Sequence, residues 1–531
     1  MANATKDAKE QLSAKLPLRA KLGYGTVGIG TIANTFLGLW QMFFFTTFGG
    51  IDIASAGMIV SVGTIVAAFM APVWGYISDR LYSTALGRKF GRRRATLLLT
   101  VPVQVVFMQV QFIPGLPMWF YFLSNLLYWT ANGGYSTVQY VMPSEMSDNS
   151  TQRAQLVGVN QIATAVASIA LSTINTYLFL AWGESDWHVY FNMSLLYNVF
   201  FAIVIVIGLF TIQERPHDVT TDFSGADAHD GEKVPLLKRI PLVVWNYVST
   251  FACREFRNYL GMYLSETMFR AVRGAILTYF LIFVLGLTSS QVSLQTGISF
   301  AVGIALVGFF MWLNAKIGSS RSYRVGAVEA IVVFLLMFVL AHVHEQIGQA
   351  ATIVAWIVLA LALNFGITGV VNATDFAYSF IPDVDEILTG KRREGQYASV
   401  NSTIDNIFMA IEKVVITAVL AAGGFVSGAD VQPDGVVEML TNIFIFVPIF
   451  FCLLGIFFTF RVKLDEEKRV VLQAEIERLR AGGSKADVDP ETRALVEDLT
   501  GFPYEKCWGN NRVVNFSNKG TDDAQKATPA A

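Results

Sequence analysis

Charge is scarce in this sequence. Only 15% of the 531 residues are Asp, Glu, Lys or Arg, against 53% apolar, and the mean hydropathy is +0.48. A soluble chain would carry about a quarter charged residues. Cysteine is scarcer still. Cys253, Cys452 and Cys507 stand far apart, which argues against a disulfide framework and a zinc site. The net charge of −2 leaves no basic surplus for nucleic acid. No nucleophile–base or metal-ligand constellation stands out, so the chain does not read as an enzyme and implies no cofactor. The polar first 21 residues lack the apolar core of a signal peptide and are expected to stay in the cytosol.

What is present is apolar length. Runs at 22–46, 57–77, 94–113, 117–142, 154–182, 189–212, 260–286, 291–314, 325–343, 350–381, 397–424 and 437–461 are each near or above the roughly 20 residues that a helix needs to cross a bilayer. The expected fold is therefore an all-α membrane protein with twelve transmembrane helices. The short loops after spans 2, 4, 8 and 10 hold thirteen Lys and Arg, from Arg80 to Arg393, and those after spans 1, 3, 5, 7, 9 and 11 hold none. Positive loops stay inside, so both termini are expected in the cytoplasm, with the protein in the plasma (inner) membrane. Residues 1–21 form the N-terminus, 22–212 a first six-helix half, 213–259 a linker, 260–462 a second half and 463–531 a tail. QERPHDVTTDFSGADAHDGEK and SNKGTDDAQKATPAA read as disordered. LDEEKRVVLQAEIERLR has a helical pattern, and Asp489-Pro490-Glu491 has the form of an N-cap.

Polar residues inside spans fall in stripes. Span 1 has Thr31, Asn34 and Gln41. Span 4 has Asn125, Asn132, Tyr135 and Gln139, and span 5 has Asn160, Gln161, Thr164 and Ser168. Span 10 has Asn364, Thr368, Asn372 and Asp375, and span 11 has Asn401, Asp405 and Glu412. Any one amide serves equally well as a hydrogen bond between helices. Taken together, the stripes suggest a wet cavity suited to a polyhydroxylated ligand. Charges are unequally shared. The first six spans carry almost none apart from Glu145 at a span end, whereas the second six carry Glu266, Arg270, Arg273, Asp375, Asp405, Glu412 and Lys413. Glu266, Arg270 and Arg273 share one face of span 7. Either they form a buried ion-pair cluster, or one arginine is left to grip an anion with its planar fork. Both hold if one arginine is paired and the other free.

Gly75, Asp79, Arg80, Gly87 and Arg88 after span 2 resemble the loop 2–3 motif of the major facilitator superfamily. With Gly91-Arg92-Arg93-Arg94, Lys21-Leu22-Gly23-Tyr24-Gly25, Arg392-Arg393-Glu394-Gly395 and Tyr397, the chain from about 20 to 462 resembles the glycoside–pentoside–hexuronide:cation symporter family. That resemblance implies two six-helix halves of the major facilitator type, alternating access and uptake of sugars, glycosides or uronides. Asp79, Arg80, Arg88, Arg393 and Glu394 then gate the cytoplasmic side. The aspartates of the family's sodium site are replaced by Ala67 and Ala71, and its sugar-binding aspartate falls on Tyr135. The expectation is a sodium-independent, proton-coupled transporter, probed at Arg270, Arg273, Asn34, Gln41, Asn132, Tyr135, Gln139 and Asn372 for substrate and at Asp375, Glu412 and Glu266 for the proton. The implied partners are a small sugar or organic anion and the lipid bilayer, and the expected state is a monomer. A lysolipid flippase and a non-transporting receptor are the alternatives.

Overall fold

A computed structural model describes residues 16–147, 150–212, 214, 245, 247–391, 393–511 and 513. The described residues are helical and contain no strand. Span 1 is two helices, Leu18–Ile29 and Ile32–Thr47. Spans 2 to 6 are Ile53–Arg80, Arg92–Val110, Met118–Met146, Ser150–Trp182 and Trp187–Thr211. Span 7 is Arg254–Tyr279 continued by a π turn, Phe280–Val284. Spans 8 to 12 are Ser289–Ile317, Ser319–Ile347, Gln349–Tyr378, Glu394–Ala422 and Asp434–Thr459. Span 7 thus starts earlier than the apolar run at 260, because Arg254 to Tyr259 continue the helix beyond the apolar stretch.

By length and composition, eight of the described helices are apolar enough to cross a membrane, and bent span 8 makes nine. Spans 3, 4 and 11 fall outside that criterion. Span 3 opens on three arginines, span 4 is dense in Asn, Gln, Ser and Thr, and span 11 carries four charges. Polarity of this kind is tolerated where a helix is sheltered by its neighbours.

Span 9 packs on span 10, span 7 on span 12, and span 4 on spans 2 and 3. The seams between the two halves run between spans 2 and 11 and between spans 5 and 8. At the first seam, a Cβ on Gly57 would lie 2.0 Å from Thr417 Oγ1, so only glycine lets these helices approach as they do. Hydrogen bonds between the halves cluster at the end of the bundle away from the termini, hereafter the far end. There Thr46 Oγ1 and Tyr279 Oη are 3.0 Å apart, and Thr278 Oγ1 donates to the Leu39 carbonyl at 3.2 Å.

The tail is folded up to Val513. Helices Glu466–Arg480 and Pro490–Thr500 form where the pattern predicted them, and Asp489 caps the second through Glu491 N and Thr492 N. They dock on a short helix, Ile381–Thr389, which the apolar pattern did not foresee. Gln473 donates to Asp383 at 3.1 Å, Arg480 pairs with Glu386, and Trp508 N donates to the Ile387 carbonyl at 2.8 Å. The stretch SNKGTDDAQKATPAA, and all of QERPHDVTTDFSGADAHDGEK except Glu214, lie outside the described residues.

Candidate functional site

The first half uses its polar side chains to hold helices together. Span 1 breaks at Gly30–Thr31. The Tyr135 hydroxyl donates to the Val27 carbonyl, drawing it out of the helical ladder, and a Cβ on Gly30 would sit 2.0 Å from that hydroxyl. Side-chain insertion beside glycine is an ordinary cause of a kink. Tyr135, expected to bind substrate, is buried with its hydroxyl engaged in fixing this break. Gln41 is likewise buried. Its amide donates to Gln111 and, at 2.8 Å, to Asn125, which in turn donates to the Ile59 carbonyl. Gln139 donates to Asn160 at 3.2 Å. Each of these three side chains, named above as a substrate contact, makes a hydrogen bond to a neighbouring helix, and the buried Gln41 makes two.

Asn34 and Asn132 meet at 3.1 Å in the middle of the half, with the Tyr128 hydroxyl donating to Asn34 at 2.6 Å. Asn34 remains partly open to solvent. Asn372, on span 10, returns one N–H to the Thr368 carbonyl of its own helix. Its oxygen has no partner among the described residues.

The second half is different. Glu266 is buried and pairs with Arg270, whose side chain is 46% exposed although it sits mid-span. Asp375 and Asp405 lie within electrostatic range of the same guanidinium. Asp375 is exposed in the last turn of span 10. Arg273, one turn beyond Arg270, has no hydrogen-bond or ion-pair partner among the described residues, and its Nε is buried. Glu412 is 8% exposed, and neither of its carboxylate oxygens has a hydrogen-bond partner. Lys413 beside it reaches across the seam to Thr64 Oγ1 at 3.4 Å. Among the described residues, spans 7 and 11 therefore bring together the Glu266–Arg270 pair, a guanidinium without a partner at Arg273, and Asp405 and Glu412 with carboxylate oxygens that lack hydrogen bonds, Glu412 beside Lys413. Such a set can bind an anion and hold or release a proton.

Residues 22–466 match the MFS/sugar transport protein family. The chain belongs to this family. It is 24% identical to an uncharacterized symporter, sll1374, of Synechocystis sp. (strain ATCC 27184 / PCC 6803 / Kazusa), covering 88% of this chain and 98% of the relative. It is 25% identical to the isoprimeverose transporter of Lactiplantibacillus pentosus, covering 79% and 82%. Among solved structures, a bacterial homolog of the human lysosomal transporter Spinster, inward-facing and unoccupied, superposes with a TM-score of 0.59 at 13% identity, over 85% of this chain and 98% of that one. A D-xylose–proton symporter gives 0.53 at 14%, over 82% and 96%. These likenesses establish the major facilitator fold, and the family is one of multi-pass membrane transporters, not enzymes.

At the terminal end of this MFS protein, the residues expected to gate lie among further arginine–carboxylate contacts. Glu145 at the end of span 4 gathers Arg92 and Arg93, and Arg93 also reaches Ser78 Oγ at 2.8 Å. Arg393 grips Asp385 through two nitrogens and Ser249 through a third, while the Tyr397 hydroxyl donates to Asp385 at 2.7 Å. Arg88 lies exposed in the short helix Ala85–Phe90. The side chains of Asp79, Arg80 and Glu394 lie outside the described residues. Two acids escaped the sequence reading. Asp385 is fully buried beneath Arg393. Glu329 stands alone in the apolar run of span 9, with Oε2 buried against Gly366. The signal for both was plain: a carboxylate within or just after an apolar span.

Proposed function

We propose that this protein is a secondary transporter working by alternating access, which carries a sugar, glycoside or acidic sugar such as a uronide, with a proton and without sodium. The observation that carries this reading is Arg273. It is a guanidinium in the middle of a transmembrane helix, without a partner among the described residues, one turn from an arginine whose charge Glu266 already balances. An uncompensated charge is expensive in that position, and a carboxylate on the substrate offsets it. The sugar class rests on the relatives, one of which is an isoprimeverose transporter. Asn34, Asn132 and Asn372 supply amides for hydroxyl groups.

Proton coupling falls to Glu412, buried without hydrogen bonds, with Asp375 at the mouth. Glu266 is committed to Arg270 and serves as its counter-ion. Sodium wants oxygen ligands, and Ala67 and Ala71 bring none from their side chains. Both termini then lie in the cytoplasm and the protein in the plasma (inner) membrane, as the loop arginines require.

The test is uptake of labelled xylosides and uronides into vesicles. Uptake should follow an inward proton gradient and persist when choline replaces sodium. Arg273→Lys should weaken uronide binding by about 1.5–3 kcal/mol through loss of the charge-assisted fork, and Arg273→Gln by more. Sodium stimulation at fixed pH would refute the coupling. Unchanged affinity in a folded Arg273→Gln variant would refute the site.

A further inference from the structure

The start of span 8 is held from the other half of the molecule. A helix opens with N–H groups that have no intrahelical acceptor. Here Thr288 and Gln291 form a capping box: Gln291 N donates to Thr288 Oγ1 at 3.4 Å, and Thr288 N to Gln291 Oε1 at 3.0 Å. The box leaves Ser289 N and Ser290 N. Both donate to Glu184, in the loop between spans 5 and 6, at 2.6 Å to Oε2 and 3.0 Å to Oε1. Two more first-half residues hold the same pair. Tyr190 Oη lies 3.3 Å from Ser289 Oγ, and Thr176 Oγ1 donates to the Ser290 carbonyl at 3.3 Å.

The pairing is chemically specific. A carboxylate spanning two adjacent N–H groups at the positive end of a helix dipole makes two charge-assisted bonds. The capping box is local and survives any separation of the halves, but the Glu184 bonds do not. Ser289 and Ser290 are 3% and 4% exposed, so parting the halves here wets two N–H groups and a carboxylate that are now satisfied within the protein. The remaining bonds between the halves at this end join neutral groups.

We propose that Glu184 is the latch of the far end: its carboxylate holds the start of span 8, and its release is the step that opens that end. The proposal rests on the alternating-access reading above. The experiment is a distance measurement across the far end, with spin labels at Met118→Cys in the first half and Gln346→Cys in the second. Both sites are exposed, and the three native cysteines are buried. The latched protein should show one short distance. Glu184→Ala should raise the ratio of open to closed forms roughly tenfold, equivalent to about 1.4 kcal/mol, visible as a longer component. Glu184→Gln, which keeps an acceptor without the charge, should fall between. Glu184→Asp, too short to span both N–H groups, provides a second route should Glu184→Ala not fold. Distances unmoved in the folded variants, with uptake intact in the unsubstituted protein, would overturn the latch alone. A longer component in Glu184→Ala, with no uptake by any form of the protein, would support the latch and overturn the transport reading.

Discussion

The two halves share a fold but differ in the charge they carry inside it. In the first, Gln41 donates to Gln111 and Asn125, Asn34 to Asn132, the Tyr128 hydroxyl to Asn34, and Gln139 to Asn160. In the second, Arg273, Glu412, Asp405 and Glu329 each keep at least one buried polar atom without a hydrogen-bond partner. Satisfied amides give shape at little electrostatic expense, while unsatisfied charges in a low-dielectric interior are poised to respond to a ligand or a proton. Under the proposed function, Gln41, Gln139 and Tyr135 brace the first half, Asn34 and Asn132 meet the substrate, and the charges of the second half answer it. The lesson is that a polar stripe does not mark a binding site until its partners are known.

The sharpest way to break this contrast is at the Glu266–Arg270 ion pair in the middle of the second half. Arg270→Gln strands Glu266, which is 3% exposed. The expected loss of stability is about 2–4 kcal/mol, toward the lower side for a broken buried pair because Arg270 is itself only half-buried. Adding Glu266→Gln should restore most of it. Thermal unfolding of the three proteins in detergent measures this, and a double variant no better than the single one would show that the pair is not what holds Glu266.

A smaller effect is expected in the first half. Tyr135→Phe removes the donor to the Val27 carbonyl in a buried setting and should destabilise by about 1–3 kcal/mol, with ligand affinity unchanged. Thermal shift with and without ligand separates the two. A weakened ligand and an unchanged melting temperature would return Tyr135 to the binding site.

The smallest effect lies in the tail. Burial pushes the Glu475 carboxyl up, but hydrogen bonds from Arg478 and the Tyr504 hydroxyl outweigh it and hold the group below its ordinary 4.5. A lowered value in the folded state stabilises above the unfolded value and is lost as pH falls through the folded one. Hydrogen exchange of residues 490–506, corrected for intrinsic rates, should therefore quicken below about pH 4.5, by under about 1 kcal/mol. Glu475→Gln should remove the pH dependence, and a profile identical in both proteins would exclude Glu475 as its source.

Much of the fold was legible in the sequence. The twelve spans, the imbalance of charge between halves and both tail helices follow from run length, residue type and capping residues, all of which are local. The Glu266–Arg270 pair follows from i, i+4 spacing. What Tyr135, Gln41 and Gln139 do was not legible, because periodicity gives the face of a helix but not the neighbour that face meets. The break in span 1 depends on a tyrosine more than a hundred residues away. Glu184 was hidden for the same reason, as a short polar loop carries no periodicity and its partner lies in the other half.

The docked tail has a mechanical consequence. Its bonds run to Glu255, Arg254, Asp383, Glu386 and the Ile387 and Leu388 carbonyls, which all belong to the second half. It is a handle fixed to one blade of a pair of shears. Under the alternating-access reading proposed above, a force applied to the tail acts on the second half alone, without touching the path between the blades.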